Sequence, residues 1–188
     1  SVDGVERRFR NIREAIDAGV HLVPEDRANN AIVNSFSIRD NITFPFLRIF
    51  SALGVMKRRK ERQKATELVD SIGVKCAGES APIDSLSGGN QQKVVVARWL
   101  VRPSKVLILD EPFQGVDIKS RHDIGEYIRK SAKDGAVIVM ATDLDEIIEV
   151  ADRIVVFNDS KIAGEQSLDA LDRDQLLHWA AQSPDEIA

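Results

Sequence analysis

Residues 105–112 read KVLILDEP, an apolar strand that runs directly into two carboxylates and a proline. A strand with almost no polar alternation is typical of a sheet that is covered on both faces, as parallel sheets are. Two further runs, AVIVMA at 136–141 and IVVF at 154–157, have the same character. We therefore predict that all three runs are buried strands of a parallel sheet.

Helical patterns alternate with these strands along the chain. A short helix at 11–19, with Asn11 as its N-cap, precedes a strand at 20–23. Further helices are predicted from Asp117 to about 133 and from Asp143 to about 150. This alternation of strand and helix predicts an α/β sandwich.

The segment 35–103 contains no comparable strand and reads as helical. Its clearest helices are predicted at 57–72 and 88–101, and short helices are expected at 35–54. We interpret the segment as a helical lobe inserted into the sheet domain. The predicted division is a sheet core of 1–34 and 104–166, a helical lobe of 35–103, and a tail of 167–188 with a helix at 173–182 capped by Asp172.

The composition excludes several classes of protein. The 188 residues are 43% hydrophobic and 30% charged, which is typical of a globular chain rather than a disordered one. A net charge of −4 and only 5% aromatic residues argue against a nucleic-acid partner. The single cysteine, Cys76, cannot form an internal disulfide, which fits a reducing compartment. No apolar run approaches the roughly 18 residues of a membrane span and no signal peptide opens the chain, so we expect the chain itself to be soluble, with a membrane-bound partner left open.

The strongest motif is LSGGNQQ at 86–92, at the start of a predicted helix. The glycines let backbone amides approach a ligand, the hydroxyl of Ser87 adds a donor, and the helix dipole favours an anion. The motif therefore indicates a phosphate site that lacks its own lysine. The plainer interpretation is that Ser87 only caps the helix and the glycines form a turn.

A second motif places Asp110 and Glu111 directly after the strand at 105–109, where α/β sheets bind ligands. Asp110 is suited to hold Mg²⁺ through water, and Glu111 to polarise a water that attacks a phosphoryl group. The alternative is that both are exposed acids that cap the next turn. Gly115, Val116 and Asp117 follow, and Asp117 is also a candidate helix cap.

Taken in order, the three motifs resemble the signature, Walker B and D-loop of ABC-type ATPases. More narrowly, VPEDR at 23–27, LSGGNQQK at 86–93 and ARWL at 97–100 resemble the C-terminal ATPase half of the tandem ATPases of bacterial ribose, xylose and galactose importers. The resemblance extends over about residues 2–166. It implies the fold of a P-loop ATPase of the ABC type, with a parallel-sheet core and an inserted helical lobe.

The resemblance also implies residue roles and partners. Two ATPase domains would meet head to tail, so that Ser87, Gly88, Gly89, Asn90 and Gln91 contact ATP held mainly by a second domain. Asp110 would bind Mg²⁺ and Glu111 would be catalytic for the nucleotide of this domain, with Asp117 in the D-loop. The domain would drive a membrane permease at the inner membrane from the cytoplasm and serve a periplasmic sugar-binding protein indirectly. No structural metal and no nucleic acid are expected.

The sequence departs from the family at several positions. No GxxxxGK[ST] phosphate-binding loop is present. In the family that loop precedes the strand ending at Val23, so we expect the chain to be a fragment without its first sheet strands, inactive as an ATPase alone. Glu25 stands at the Q-loop position, where glutamine is usual, and Thr142 at the position of the switch histidine. Phe113 replaces a residue that is commonly small and polar.

These departures keep two other functions open. The chain is either a catalytically degenerate half that only completes the partner's site or, less in keeping with its acidic charge, a non-transport ABC ATPase. Thr142 also has a plainer interpretation as a helix N-cap ahead of Asp143. The three histidines have no metal-binding spacing, and Trp99 and Trp179 are interpreted as packing residues.

Overall fold

A computed structural model describes residues 2–182. After Ala141 the chain divides into two compact units. The predicted domain boundaries at residues 34, 103 and 166 rest on the type of secondary structure rather than on compactness. They therefore stay a prediction.

The first unit contains six α-helices and five strands among its described residues. Its helices are α1 Ile12–Asp17, α2 Arg27–Asn30, α3 Ile38–Thr43, α4 Arg58–Ser71, α5 Gly88–Arg98 and α6 Ile118–Ser131. Its strands are β1 Val20–Val23, β2 Ser51–Ala52, β3 Val55–Met56, β4 Val106–Asp110 and β5 Ala136–Met140. Short 3-10 helices lie at Phe44–Phe50 and Ile83–Ser85.

The core sheet has the order β1-β4-β5 with all strands parallel. Val23 pairs with Leu109, and Asp110 pairs with Met140. All three strands therefore end at the same edge, as expected for the runs at 20–23, 105–109 and 136–141. A small antiparallel hairpin of β2 and β3 lies in the helical region.

The prediction that these strands are buried on both faces is wrong. Leu22, Ile108 and Ile138 are cross-strand neighbours and share one face, on which Leu22 is 47% and Ile138 is 49% exposed. On the opposite face, His21 and Leu107 are each 1% exposed. Within the first unit the packing covers one face only, so the face of Leu22 and Ile138 is here called the open face and the face of His21 and Leu107 the covered face.

The helical lobe is built around α5. This helix is buried from Gln92 to Arg98 and packs against α3, α4 and α6. The predicted helices at 57–72 and 88–101 are confirmed, although the second ends three residues early, at Arg98. The chain then turns through Trp99 and Leu100 before β4 begins.

The second unit corrects another strand assignment. It contains α7 Leu144–Val150, β6 Arg153–Asn158, β7 Lys161–Ser167, a 3-10 turn Leu168–Ala170 and α8 Arg173–Ala181. The run at 154–157 does not join the parallel sheet, because β6 pairs antiparallel with β7. The two-residue turn of Asp159 and Ser160 has positive φ at both positions, as a tight hairpin requires.

The structure tests the helix N-caps predicted from the sequence. The side chains of Asn11, Asp117 and Asp172 accept hydrogen bonds from backbone amides three residues on, which confirms each as an N-cap. Thr142 is not the cap of α7. Asp143 takes that place and accepts from the amide of Asp145 at 2.8 Å.

Candidate functional site

Ser87 stands at the N-cap position of α5, but it does not cap the helix with its side chain. Its Oγ instead accepts a hydrogen bond from Nδ2 of Asn90 at 2.9 Å. The side chain is exposed, and the hydroxyl keeps its own proton to donate. This arrangement fits a phosphate donor better than a plain cap.

Asn90 and Gln91, both predicted as ligands, are engaged within the protein. Asn90 accepts from the backbone amide of Lys75 at 2.7 Å through Oδ1, in addition to its bond to Ser87. The side-chain Nε2 of Gln91 donates to the carbonyl of Ile83 at 3.4 Å. These two side chains therefore hold the signature turn, here residues 86–89, in place.

The two glycines of the signature turn permit close packing against the segment that follows β4. A Cβ on Gly89 would lie 2.9 Å from Oγ of Ser120 and 3.0 Å from Oδ2 of Asp117. A Cβ on Gly88 would lie 2.9 Å from the guanidinium of Arg27. The structure thus brings the predicted signature and the predicted D-loop residue together.

Asp117 is fixed by the start of α6. Its Oδ1 accepts from the amide of Ser120 at 3.0 Å, and its Oδ2 accepts from the Ser120 hydroxyl at 2.8 Å. These hydrogen bonds from Ser120 lower the pKa of Asp117, because they favour the charged carboxylate. The downstream turn, here residues 114–117, is therefore anchored at its end.

Asp110 and Glu111 occupy the carboxyl end of β4, as predicted. Side chains alternate along a strand, so Asp110 lies on the open face with Ile108. Glu111 has a left-handed backbone with φ of 44°, which is unusual for a non-glycine residue. Its amide donates to the carbonyl of Met140 at 2.8 Å, and this bond holds the turn against β5.

The three residues at which the sequence departs from the family are placed differently. Glu25 is exposed and lies two residues after the end of β1, so it lies at the same edge of the sheet as Asp110. Thr142 is exposed and lies in the second unit. Phe113 is only 3% exposed, and the guanidinium of Arg121 lies 5.8 Å from its ring centroid. The unusual phenylalanine is therefore a packing residue of the turn.

The residues at this edge fit magnesium as it binds in nucleotide sites. Within residues 2–182, no group of three or more His, Cys, Asp or Glu side chains is arranged to hold a metal. Mg²⁺ commonly uses one or two carboxylates, with water and substrate phosphates as its other ligands. Asp110, one carboxylate at the strand end, is compatible with that mode.

Several charged residues of the site region were not identified from the sequence as contributors. Lys93 is 2% exposed, and its Nζ donates to Asp123 at 2.5 Å and to the carbonyl of Gly73 at 3.2 Å. Arg98 donates to the carbonyls of Asn41 and Ala31, both at 2.7 Å. No periodicity marks such residues, because their partners are 20 to 67 positions away in the sequence.

The remaining candidates are structural. His21 stacks on Trp99 with 4.7 Å between ring centroids, and its Nδ1 lies 2.7 Å from the Ser104 hydroxyl. Burial lowers the pKa of His21 to about 4, so its ring is neutral at physiological pH. Trp179 packs directly over Gly164, where a Cβ would lie 2.2 Å from the indole. Both tryptophans are packing residues, as predicted.

Comparison with known proteins gives consistent matches. A family model described as ABC transporter matches residues 2–114. The ribose import ATP-binding protein RbsA of Chelativorans sp. (strain BNC1) is 42% identical over 177 residues, which are 94% of this chain and 35% of that protein. The arabinose import ATP-binding protein AraG of Pseudomonas syringae pv. syringae (strain B728a) is 40% identical over 95% of this chain and 36% of its own length. The chain thus spans about a third of the length of these relatives.

A solved structure has the same fold. It is a dimeric, post-hydrolysis state of the ATP-binding cassette MJ0796 bound to ADP and Pi, with a TM-score of 0.73 and 22% identity. The match covers 89% of this chain and 72% of that one. Among the described residues of the present chain, no helix is both long and apolar enough to cross a membrane.

Proposed function

We propose a function from one premise: this chain belongs to the ABC transporter family. The proposed function is that of an ATPase domain that energises the import of a sugar such as ribose or arabinose. Relatives that are 40% to 42% identical over nearly the whole chain carry sugar-import names, which is the observation that supports it most directly. Because those relatives are about three times longer, the domain would act within a longer ATP-binding protein.

In this proposal the signature turn contributes to a site shared with a second ATPase domain. The Ser87 hydroxyl and the first amides of α5 would donate to the γ-phosphate of ATP held mainly by that domain. The positive end of the helix dipole favours the anion. The bonds from Asn90 and the packing of Gly89 on Asp117 hold these donors in place before ATP arrives.

The carboxyl end of β4 would serve the nucleotide bound by this domain itself. Asp110 would hold Mg²⁺ through water, and the ion would supply positive charge that offsets the charge of the phosphates. Glu111 would accept a proton from the attacking water. The left-handed backbone at Glu111 is held by the hydrogen bond from its amide to the Met140 carbonyl. This backbone conformation sets the direction in which the Glu111 side chain leaves the main chain.

A second candidate is that this half lends only its signature and hydrolyses little ATP. Glu25 in place of the usual glutamine and Thr142 in place of the usual histidine favour it. In either case the partners would be a second ATPase domain, membrane permease subunits and, indirectly, a periplasmic sugar-binding protein. The complex would sit on the cytoplasmic side of the inner membrane.

The test is transport by the full-length protein reconstituted with its permease and binding protein. ATP and Mg²⁺ should drive uptake of labelled ribose or arabinose into proteoliposomes, and the matching sugar-loaded binding protein should stimulate ATP turnover. If no sugar-loaded binding protein changes the rate of ATP turnover and uptake does not depend on ATP, the importer function is refuted.

A further inference from the structure

Arg27 lies where three functional segments meet. It is the first residue of α2, two positions after Glu25. Its Nη1 donates to the carbonyl of Gln114 in the downstream turn at 2.9 Å. Its Nη2 would lie 2.9 Å from a Cβ on Gly88 and 3.5 Å from a Cβ on Gly115. The guanidinium thus occupies a slot between two glycines, one in each turn.

The slot depends on the absence of a side chain at Gly88, because a Cβ on Gly115 would make only an ordinary contact with the guanidinium. Gly115 has a φ of 65°, a conformation that glycine adopts without strain. A planar guanidinium can donate to one turn through one nitrogen while its other nitrogen packs against the next turn. Lysine, with a single ammonium, offers the charge without this fork.

The backbone beside Arg27 is itself tied to the far end of α5. Arg98, the last residue of that helix, donates to the carbonyl of Ala31 at 2.7 Å, and the amide of Ala31 donates to the carbonyl of Arg27 at 3.1 Å. The segment 27–31 therefore contacts both ends of the signature helix. If the backbone at Glu25 moved, Arg27, two residues on, would move with it and would displace the signature turn.

The charge of Arg27 has a consequence for the free protein. Its guanidinium lies beside Gly88, at the N-terminus of α5, where the helix dipole disfavours a cation. Its hydrogen bond to the Gln114 carbonyl goes to a neutral acceptor. The charge is therefore best compensated when an anion occupies the signature turn.

We infer that Arg27 is a positioning residue for the proposed reaction. It locks the signature turn and the downstream turn into one geometry so that both engage ATP on the partner domain together. This inference rests on the proposed function, and it adds that Arg27 couples the backbone next to Glu25 to the signature turn.

The experiment compares Arg27→Ala and Arg27→Lys in the full-length, reconstituted transporter. We expect Arg27→Ala to lower kcat by roughly 10–100-fold, the size of effect seen when reacting groups are misplaced. KM for ATP should change less than about twofold, and Tm without nucleotide should stay within about 2 °C of wild type. Arg27→Lys should recover only part of the lost kcat, because charge alone does not fill the slot.

Arg13 offers a matched control. It also donates from Nη1 to a distant carbonyl, that of Pro45 at 3.1 Å, but it is not among the neighbours of a Cβ on Gly88 or Gly115. Arg13→Ala should leave kcat near wild type. If Arg27→Ala has wild-type kcat, or if it loses activity only in step with a lower Tm, the positioning role is wrong.

A double-mutant cycle tests the slot itself. Gly88→Ala introduces a Cβ against the guanidinium, so its effect on kcat should be smaller in an Arg27→Ala background than in the wild type. Strictly multiplicative losses would refute the contact. The two levels of proposal separate cleanly: a wild type with no sugar-stimulated turnover refutes the importer function, whereas normal turnover with indifferent Arg27 variants refutes only this inference.

Discussion

The covered and open faces of the core sheet differ in how far the described residues pack against them. On the covered face, His21 stacks on Trp99 just beyond the signature helix, and Leu109 is fully buried. On the open face, Leu22, Ile138 and Met140 are between 43% and 49% exposed, and Asp110 lies among them. The signature turn is packed against Asp117 and Ser120, whereas Asp110, which we propose serves this domain's own nucleotide, lies on the open face.

In the proposed function, the two roles differ in how much of their site is fixed by contacts among the described residues. The donors of the signature turn need only α5 and the downstream turn, both of which are fixed by contacts within residues 2–182. In their proposed roles, Asp110 and Glu111 would act on a phosphate chain, and only their own positions at the end of β4 are fixed by the contacts described above. The comparison leads to four predictions, taken from the largest expected effect to the smallest.

Ser87→Arg in the full-length protein should abolish ATP turnover, with a loss of at least about 100-fold, because a bulky cation replaces a phosphate donor. The measurement is steady-state phosphate release by the reconstituted transporter. Ser85→Arg is the matched control, since Ser85 is an exposed neighbour whose hydroxyl donates to the Pro82 carbonyl. Wild-type turnover in Ser87→Arg would show that the signature turn does not meet nucleotide.

Leu109→Ala and Ile138→Ala test the two faces directly. Leu109 is 0% exposed on the covered face, so its truncation should lower the free energy of unfolding by about 2–5 kcal/mol. Ile138 is half exposed, so its truncation should cost less than about 1 kcal/mol. Urea unfolding of the 188-residue chain at several concentrations gives both values. Equal costs would mean that the open face is covered in solution, by self-association if the cost rises with concentration.

The stability of the folded chain at acid pH should depend on His21, which lies on the covered face. Its pKa is lowered by burial to about 4, whereas an unfolded histidine has a pKa near 6.5. Between these values the unfolded chain binds a proton that the folded chain does not, so stability falls as the pH falls from 6.5 to 4. The slope from this group is at most about 1.4 kcal/mol per pH unit.

His21→Phe keeps an aromatic ring beside Trp99 and removes the titration. The urea midpoints of wild type and variant should therefore diverge between pH 7 and pH 4.5, with the wild type losing more stability. Parallel pH profiles for the two proteins would rule out a neutral, buried His21.

Glu111→Gln should have the smallest effect if this half mainly lends its signature. We expect turnover of the full-length protein to fall by less than about threefold, against the 10²–10⁴-fold loss typical of a missing general base. The same phosphate-release assay measures it. A loss in the larger range, with ATP trapped on the protein, would assign catalysis to this half despite Thr142 and Glu25.

Local signals in the sequence were enough for much of the fold. Three strands of the parallel sheet, the helices of the lobe and the caps at Asn11, Asp117 and Asp172 all follow from short-range patterns. The LSGGNQQK and LDEP motifs were enough for the family. These features depend on residues within a few positions of one another, which is why they can be read in one dimension.

The tertiary structure alone decided which apolar runs are covered and which charges meet. The runs at 136–141 and 154–157 look alike in sequence, yet one joins the parallel sheet and the other forms an antiparallel hairpin with the polar strand β7. Arg27, Lys93 and Arg98 show no periodic signal, because each finds its partners at least 20 positions and as many as 87 positions away, apart from contacts within its own helix. Burial and hydrogen bonding at such distances follow from how the elements pack, and packing is a property of the folded chain rather than of any local stretch of it.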